Sequence, residues 1–157
     1  MFNRKQLEIS FGFALAYAKR HRTEIGLLFI DLDHFKEVND SFGHDVGDLL
    51  LIEISTRLQS CLRATDVLAR LGGDEFIIIL TDFTKKDQVC DISMRLLRLI
   101  AQPMKIKKHR ISITCSIGIG LYPTDGTDLS DLIKNADNAL YSVKSGGRNN
   151  FKLYSSM

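Results

Sequence analysis

Residues 24–33, EIGLLFIDLD, constrain the fold most tightly: the run from Ile25 to Ile30 is apolar without alternation and leads straight into Asp31 and Asp33. A strand at a sheet edge alternates apolar and polar side chains, so an unbroken run belongs to a central strand. The rest of the chain must supply its neighbours. DVLAR and EFIIIL read as two strands, and the short LGGD link between them has the length of a hairpin whose glycines are free to take positive φ. In HRISITCSIGIG, Ile111, Ile113, Cys115, Ile117 and Ile119 alternate with small polar residues, the pattern of a strand with one face buried. NNFKLY reads as a last strand near the C-terminus.

Helices fill the intervals. Residues from about 4 to 20 look helical, and Val46, Leu50, Ile54, Leu58 and Leu62 recur every four positions between Asp45 and Leu62. Val89, Ile92, Leu96 and Ile100 predict a helix over about 85–101. Leu132, Ile133, Ala136, Leu140 and Val143 predict another over about 128–145, stopped by Gly146 and Gly147. The order predicts an α/β fold, an α+β sandwich with a mixed central sheet and a β-α-β-β-α-β core. Periodicity leaves the strand order open.

At 157 residues and 45% hydrophobic content, with no internal repeat and only two prolines, the chain reads as one domain over 1–157. Its net charge of +2, with no long basic run, gives bulk electrostatics no pull towards nucleic acid or an anionic membrane, so any anion site must be local. Cys61, Cys90 and Cys115 are odd in number and form no C-x-x-C pair, which argues against a disulfide framework and a zinc site and suits a reducing cytoplasm. No apolar run is long enough to span a bilayer and the N-terminus has no secretory pattern, although a longer parent protein can still be membrane-anchored.

The chemistry gathers in acids. Asp31 and Asp33 are two residues apart, hence on one face of an extended backbone, and Asp74 and Glu75 sit at the hairpin tip. If the first strand pairs beside the hairpin, the acids reach one sheet edge, where repulsion must be offset by cations; oxygen-only ligands select Mg²⁺ or Mn²⁺. Gly72 and Gly73 leave bare backbone that can approach a phosphate. DHFKEVNDSFGHDVGD adds Phe35, Lys36, Asn39, His44 and Asp48; a carboxylate accepts from guanine N1 and N2, and an amide both donates and accepts. Lys144 and Arg148 flank a helix end, from which they can reach a triphosphate. Plainer readings stand beside these: solvated turn acids, Asn39 as a cap, His44 as a polar turn residue, and cations that suit the helix dipole.

Taken together, FIDLDHFKEVND, GHDVGD, RLGGDEFIIIL, SIGIGLYPTDGTD and ADNALYSVKSGGRNNF resemble, in order, the motifs of the diguanylate cyclases, the GGDEF domains of bacterial signalling proteins, over about residues 2–155. The resemblance implies a fold similar to nucleotidyl cyclases and the polymerase palm, and condensation of two GTP into cyclic di-GMP and two pyrophosphates. It implies that Asp31, the Leu32 carbonyl, Asp74 and Glu75 hold two Mg²⁺ ions per GTP site, with Asp74 as base. Asn39 and Asp48 would bind guanine and His44 would line the site. Phe35, Lys36, Lys144 and Arg148 would hold phosphates, while Gly72 and Gly73 let the hairpin close over GTP.

One such site binds one GTP, so catalysis implies a homodimer. RATD matches the family's R-x-x-D product site, making Arg63 and Asp66 candidates for inhibition by cyclic di-GMP. The Asp-x-Leu-Thr-x-Leu segment that usually precedes the family's Asn-Arg, here Asn3-Arg4, is missing, so the chain looks cut from a longer multidomain protein with flanking sensor or EAL-type domains. The alternative is a catalytically silent GTP- or cyclic di-GMP-binding module that regulates an attached EAL-type phosphodiesterase. A dimerisation domain without ligand leaves the acids unexplained.

Overall fold

The unalternating run forms β1 (Glu24–Leu32), and β1 is central. In the computed structural model, which describes residues 1–157, α1 (Arg4–His21) precedes it, and α2 (Phe35–Phe42) and α3 (His44–Ser60) follow. Then come β2 (Val67–Gly72), β3 (Glu75–Phe83), α4 (Lys86–Ala101), β4 (Met104–Ile106), β5 (His109–Ile111), β6 (Cys115–Tyr122), α5 (Leu129–Ser145) and β7 (Phe151–Leu153). The main sheet is ordered β2-β3-β1-β6-β7; β1 is antiparallel to both neighbours, and β7 alone runs parallel to its partner. The expected mixed sheet is present.

Alternation along β1 sorts its side chains into two cores. Leu28, Ile30 and Leu32 pack with Leu50, Ile54 and Leu96 of α3 and α4, whereas Ile25, Leu27 and Phe29 pack with Leu7 and Phe11 of α1 and Leu132 and Ala136 of α5. Each face of the sheet is thus covered by a helix pair. Asp31 follows the second set, towards α5.

Three details depart from the sequence reading. Residues 109–120 do not form one strand: β5 pairs only with β4 in a separate two-stranded hairpin, and the chain joins the main sheet at Cys115. Secondly, β6 is buried at every position, on both faces. Its small residues serve close packing, since a Cβ on Gly118 would lie 2.9 Å from Leu140 Cα and nearer still to the α5 backbone at Ala136 and Leu140. Thirdly, α2 forms where the sequence offered only a polar cluster. The start of α1 is secured locally: Asn3 Oδ1 accepts from the Gln6 amide at 2.9 Å, and Gln6 Oε1 accepts from the Asn3 amide at 3.0 Å. No helix is long and apolar enough to cross a membrane.

Candidate active site

Pairing of β1 with β3 sets Asp31 opposite Glu75, and the Leu32 amide donates to the Asp74 carbonyl at 3.2 Å. The acids from the two motifs therefore meet at the end of the sheet. No amide of the β2–β3 turn returns a bond to the Leu32 carbonyl. Gly73 has φ of 39°, and where a Cβ would stand on Gly72 or Gly73 there is open space. The turn presents bare backbone, steadied by Arg70 Nε donating to the Gly73 carbonyl at 2.9 Å.

Asp31 is the electrostatic centre. One carboxylate oxygen, Oδ2, pairs with Lys144 Nζ from the last turn of α5; the other, Oδ1, is buried and has no hydrogen-bond partner. Burial pushes the Asp31 carboxyl above the usual carboxylate range and Asp74 adds to the rise, while Lys144 opposes it. Burial also raises Glu75, with the charges of Asp31 and Asp137 contributing in the same direction. The edge thus carries more negative charge than its one ammonium offsets.

An orphaned carboxylate oxygen, a second carboxylate across the strand and a carbonyl without a turn donor suit a hard divalent cation. No group of three or more Asp, Glu, His or Cys side chains converges as a preformed cage. The residues fit Mg²⁺ by charge and donor type, in the manner of sites that use one or two carboxylates with phosphate oxygens as further ligands.

Asp33 behaves differently from Asp31, although the two were expected to share a face. β1 ends at Leu32, and Asp33 turns inward to 4% exposure. Its Oδ2 accepts from Thr114 Oγ1 at 2.6 Å and the Asn149 amide at 3.1 Å, and its Oδ1 from Ser116 Oγ at 2.7 Å. Only Asp31 of this pair opens to the site.

After Asp33 the chain turns through His34, at φ of 60°, into α2. The amides of Phe35 and Lys36 fall at its first positions, where helical N–H groups lack intrahelical acceptors and suit an anion. The Phe35 side chain is buried in the core, so a phosphate can meet only its amide; Lys36 is exposed. Asn39 is half-buried on α2, with His44 and Asp48 exposed on α3. Gly47 joins them, a residue the sequence reading passed over: a Cβ there would lie 3.0 Å from Asn39 Cγ and closer to Oδ1. Its signal was a helical glycine inside GHDVGD. Arg148 is exposed, at φ of 65°, in the turn after α5.

Arg63 and Asp66 lie near the far end of β3, beside Thr81, roughly 20 Å along the strand from Glu75. Asp66 is buried and serves its own turn, accepting from the Arg63 amide at 2.9 Å and the Thr81 amide at 3.4 Å. The Arg63 guanidinium donates to the Thr81 carbonyl and stands 3.6 Å from Asp66. Both border a cavity of about 290 Å³ whose other walls include Gln88, Asp91 and Arg95 of α4.

The mixed sheet thus brings cation-seeking acids and the unpaired amides at the start of α2 to one end, a setting that suits a divalent cation and an anion together. The chain belongs to the GGDEF family of diguanylate cyclase domains, whose family description, "Diguanylate cyclase, GGDEF domain", matches residues 1–150. It is 42% identical over 154 residues to the bifunctional diguanylate cyclase/cyclic di-GMP phosphodiesterase MucR of Pseudomonas aeruginosa, covering 98% of this chain and 22% of that protein. The cyclic di-GMP phosphodiesterase NbdA of the same organism is 44% identical over 131 residues, 83% of this chain and 17% of NbdA. The chain thus spans about a fifth of the length of these curated relatives. Among solved structures, the GGDEF domain of TpbB (YfiN) from P. aeruginosa superposes with a TM-score of 0.94 at 35% identity, covering 98% of this chain and 96% of that one.

Proposed function

We propose that the chain condenses two GTP into cyclic di-GMP and two pyrophosphates, with two Mg²⁺ (or Mn²⁺) ions per GTP site, across the interface of a homodimer. The observation that carries this reading is the Asp31–Glu75 pairing, with one Asp31 oxygen unsatisfied and the other on Lys144. Bound divalent ions lower the pKa of the attacking 3′-hydroxyl and neutralise charge on the leaving pyrophosphate.

The chain's own residues supply the rest. Asp31, Glu75, Asp74 and the Leu32 carbonyl hold the ions. Lys144, Arg148, Lys36 and the amides at the start of α2 bind the triphosphate. Asn39 and Asp48 read guanine, with His44 at the rim, and Gly72 and Gly73 let the turn approach the nucleotide. Asp74 accepts the 3′-hydroxyl proton. That oxygen forms a bond to the α-phosphorus of the opposing GTP as the bond to pyrophosphate breaks; a second such step, with the roles reversed, closes the ring. One domain holds one GTP, so two must face each other. Arg63 and Asp66 form the product site that lowers activity when cyclic di-GMP accumulates. The domain works in a bacterial cytoplasm, within a longer parent that carries sensor or EAL-type domains, and it contacts neither nucleic acid nor membrane.

A second reading rests on NbdA, which is named as a phosphodiesterase and shares 44% identity. In that reading the domain binds GTP or cyclic di-GMP without turnover and regulates an attached EAL-type phosphodiesterase. Incubation with GTP and Mg²⁺ at several protein concentrations, with chromatography for cyclic di-GMP, separates the two. Product rising faster than linearly with protein supports the dimeric cyclase; bound GTP without product supports the regulatory module. Asp74→Ala should abolish product while the fold persists, and unchanged turnover would refute its assignment.

A further inference from the structure

We infer that Asp33 is a positioning residue of the nucleotide site: it clamps the turn after α5 so that Lys144 and Arg148 face the triphosphate, and it is not itself a metal ligand. This rests on the cyclase reading above. Two independent observations carry it.

The first is the carboxylate's bonding. Asp33 is almost fully buried just past β1 and accepts three hydrogen bonds: from the hydroxyls of Thr114, just before β6, and Ser116, within it, and from the Asn149 amide. Its own amide donates to the Thr114 carbonyl at 2.8 Å. A carboxylate so engaged on both oxygens offers little to an ion, in contrast to Asp31, whose Oδ1 is unpartnered. Three separate parts of the chain converge on this one side chain: the end of β1, the start of β6 and the turn after α5.

The second is the backbone of that turn. Gly147, Arg148 and Asn149 take φ of 114°, 65° and 50° in succession, and two of these are residues with side chains. Such conformations persist only where the surroundings over-determine them, and they concentrate at ligand-binding sites. The turn is tied on one side to α5, by the Arg148 amide donating to the Val143 carbonyl at 3.0 Å, and on the other to β6, by the Asn150 carbonyl accepting from Ile117 at 2.9 Å. Asp33 supplies the third tie, at Asn149. Releasing it lets the left-handed pair relax towards ordinary φ, and Arg148 swings with it. Lys144 lies in the helical turn just before and feels the same release.

The test uses Asp33→Asn and, in case that variant folds poorly, Thr114→Val, which removes one hydroxyl donor and leaves every carboxylate in place. Hydrogen exchange at the Asn149 amide, measured without nucleotide, should quicken at least about tenfold in Asp33→Asn. GTP affinity by calorimetry at saturating Mg²⁺ should fall roughly ten- to a hundredfold, the usual effect of removing a supporting partner. The Mg²⁺ concentration giving half-maximal GTP binding should stay at its wild-type value, whereas Asp31→Asn raises it. Adding Asp33→Asn to Arg148→Ala should cost less than the product of the two single losses, because part of what Asp33 does runs through Arg148. A shifted Mg²⁺ midpoint in Asp33→Asn, fully multiplicative losses, or wild-type GTP affinity with the Asn149 amide released would each overturn the inference. Absence of GTP binding by the wild-type protein would instead refute the cyclase reading, an outcome the wild-type control identifies before any variant is compared.

Discussion

Replacing Gly47 by alanine should separate stability from nucleotide recognition. Gly47 lies inside α3, where alanine is favoured over glycine by about 0.8–1.0 kcal/mol. The new Cβ would stand 3.0 Å from Asn39 Cγ and nearer to Oδ1. Ordinary carbon–oxygen contacts begin near 3.3–3.6 Å, so Oδ1 has to retreat by more than about 1 Å. That atom ends a flexible side chain on a half-buried helix, so the move costs the fold little and offsets only part of the helical gain. It does displace the amide that the proposed reading turns towards guanine. If Asn39 bonds guanine as proposed, leaving that bond unmade costs about 1–3 kcal/mol, or roughly a five- to 150-fold loss in GTP affinity. The expected result is a melting temperature at or above wild type, GTP binding weakened by that factor in calorimetry, and a narrowed preference for GTP over ATP. A melting temperature that falls in step with affinity would mean that Gly47 serves packing alone. Unchanged GTP affinity in a folded variant would remove Asn39 from guanine recognition.

Gly118→Ala should do the opposite, because its Cβ meets the α5 backbone, which cannot rotate away; a cost of about 3 kcal/mol, at the upper end for overpacking, lowers the melting temperature by about 6–12 °C, and a wild-type melting curve would contradict the close β6–α5 contact. The folded-state carboxyls of Asp31 and Glu75 lie above their reference values of 3.8 and 4.5, so the stability their protons confer is complete below those values and is lost as pH rises through the higher folded-state ones. Mg²⁺ should therefore raise the melting temperature at pH 7 and hardly at all near pH 4, and equal effects at both would argue against these acids as the ion's ligands. Arg63→Ala should weaken cyclic di-GMP binding and relieve inhibition without unfolding the turn, since Asp66 keeps its bonds to the Arg63 and Thr81 amides; wild-type affinity in calorimetry would exclude the site.

What the sequence revealed divides along physical lines. β1 was legible because an unalternating apolar run has one economical place in a sheet, and the acid edge followed once β1 lay beside β3. Asp33 misled because a two-residue spacing shares a face only while the backbone stays extended, and β1 ends one residue earlier, at Leu32. α2 was missed because no side chain caps it; His34 enters it in a left-handed conformation instead. The alternation through residues 109–120 reported burial correctly at Ile111, Ile113, Cys115, Ile117 and Ile119. Pairing was beyond it, because alternation says which face is wet and not which strand lies alongside. The Asp31–Lys144 contact spans 113 positions, and only a folded chain reveals it.

The same contact bears on how such a domain would be controlled. An acid edge with an unpartnered carboxylate oxygen and two raised carboxyls is electrostatically unfinished in the free chain. If cation and triphosphate complete it as proposed, binding should stabilise the fold by mass action whether or not turnover follows. Turnover asks for more. In the proposed mechanism the 3′-hydroxyl that attacks a bound GTP would come from a nucleotide in a second domain, and a turn as open as Gly72–Gly73 leaves room for that approach. Where dimers are rare their number grows with the square of the protein concentration, and so does the rate; once dimers predominate, the rate becomes linear. A rate strictly proportional to protein across a range in which sedimentation shows monomers giving way to dimers would show that one chain suffices, and the two-domain mechanism would fall.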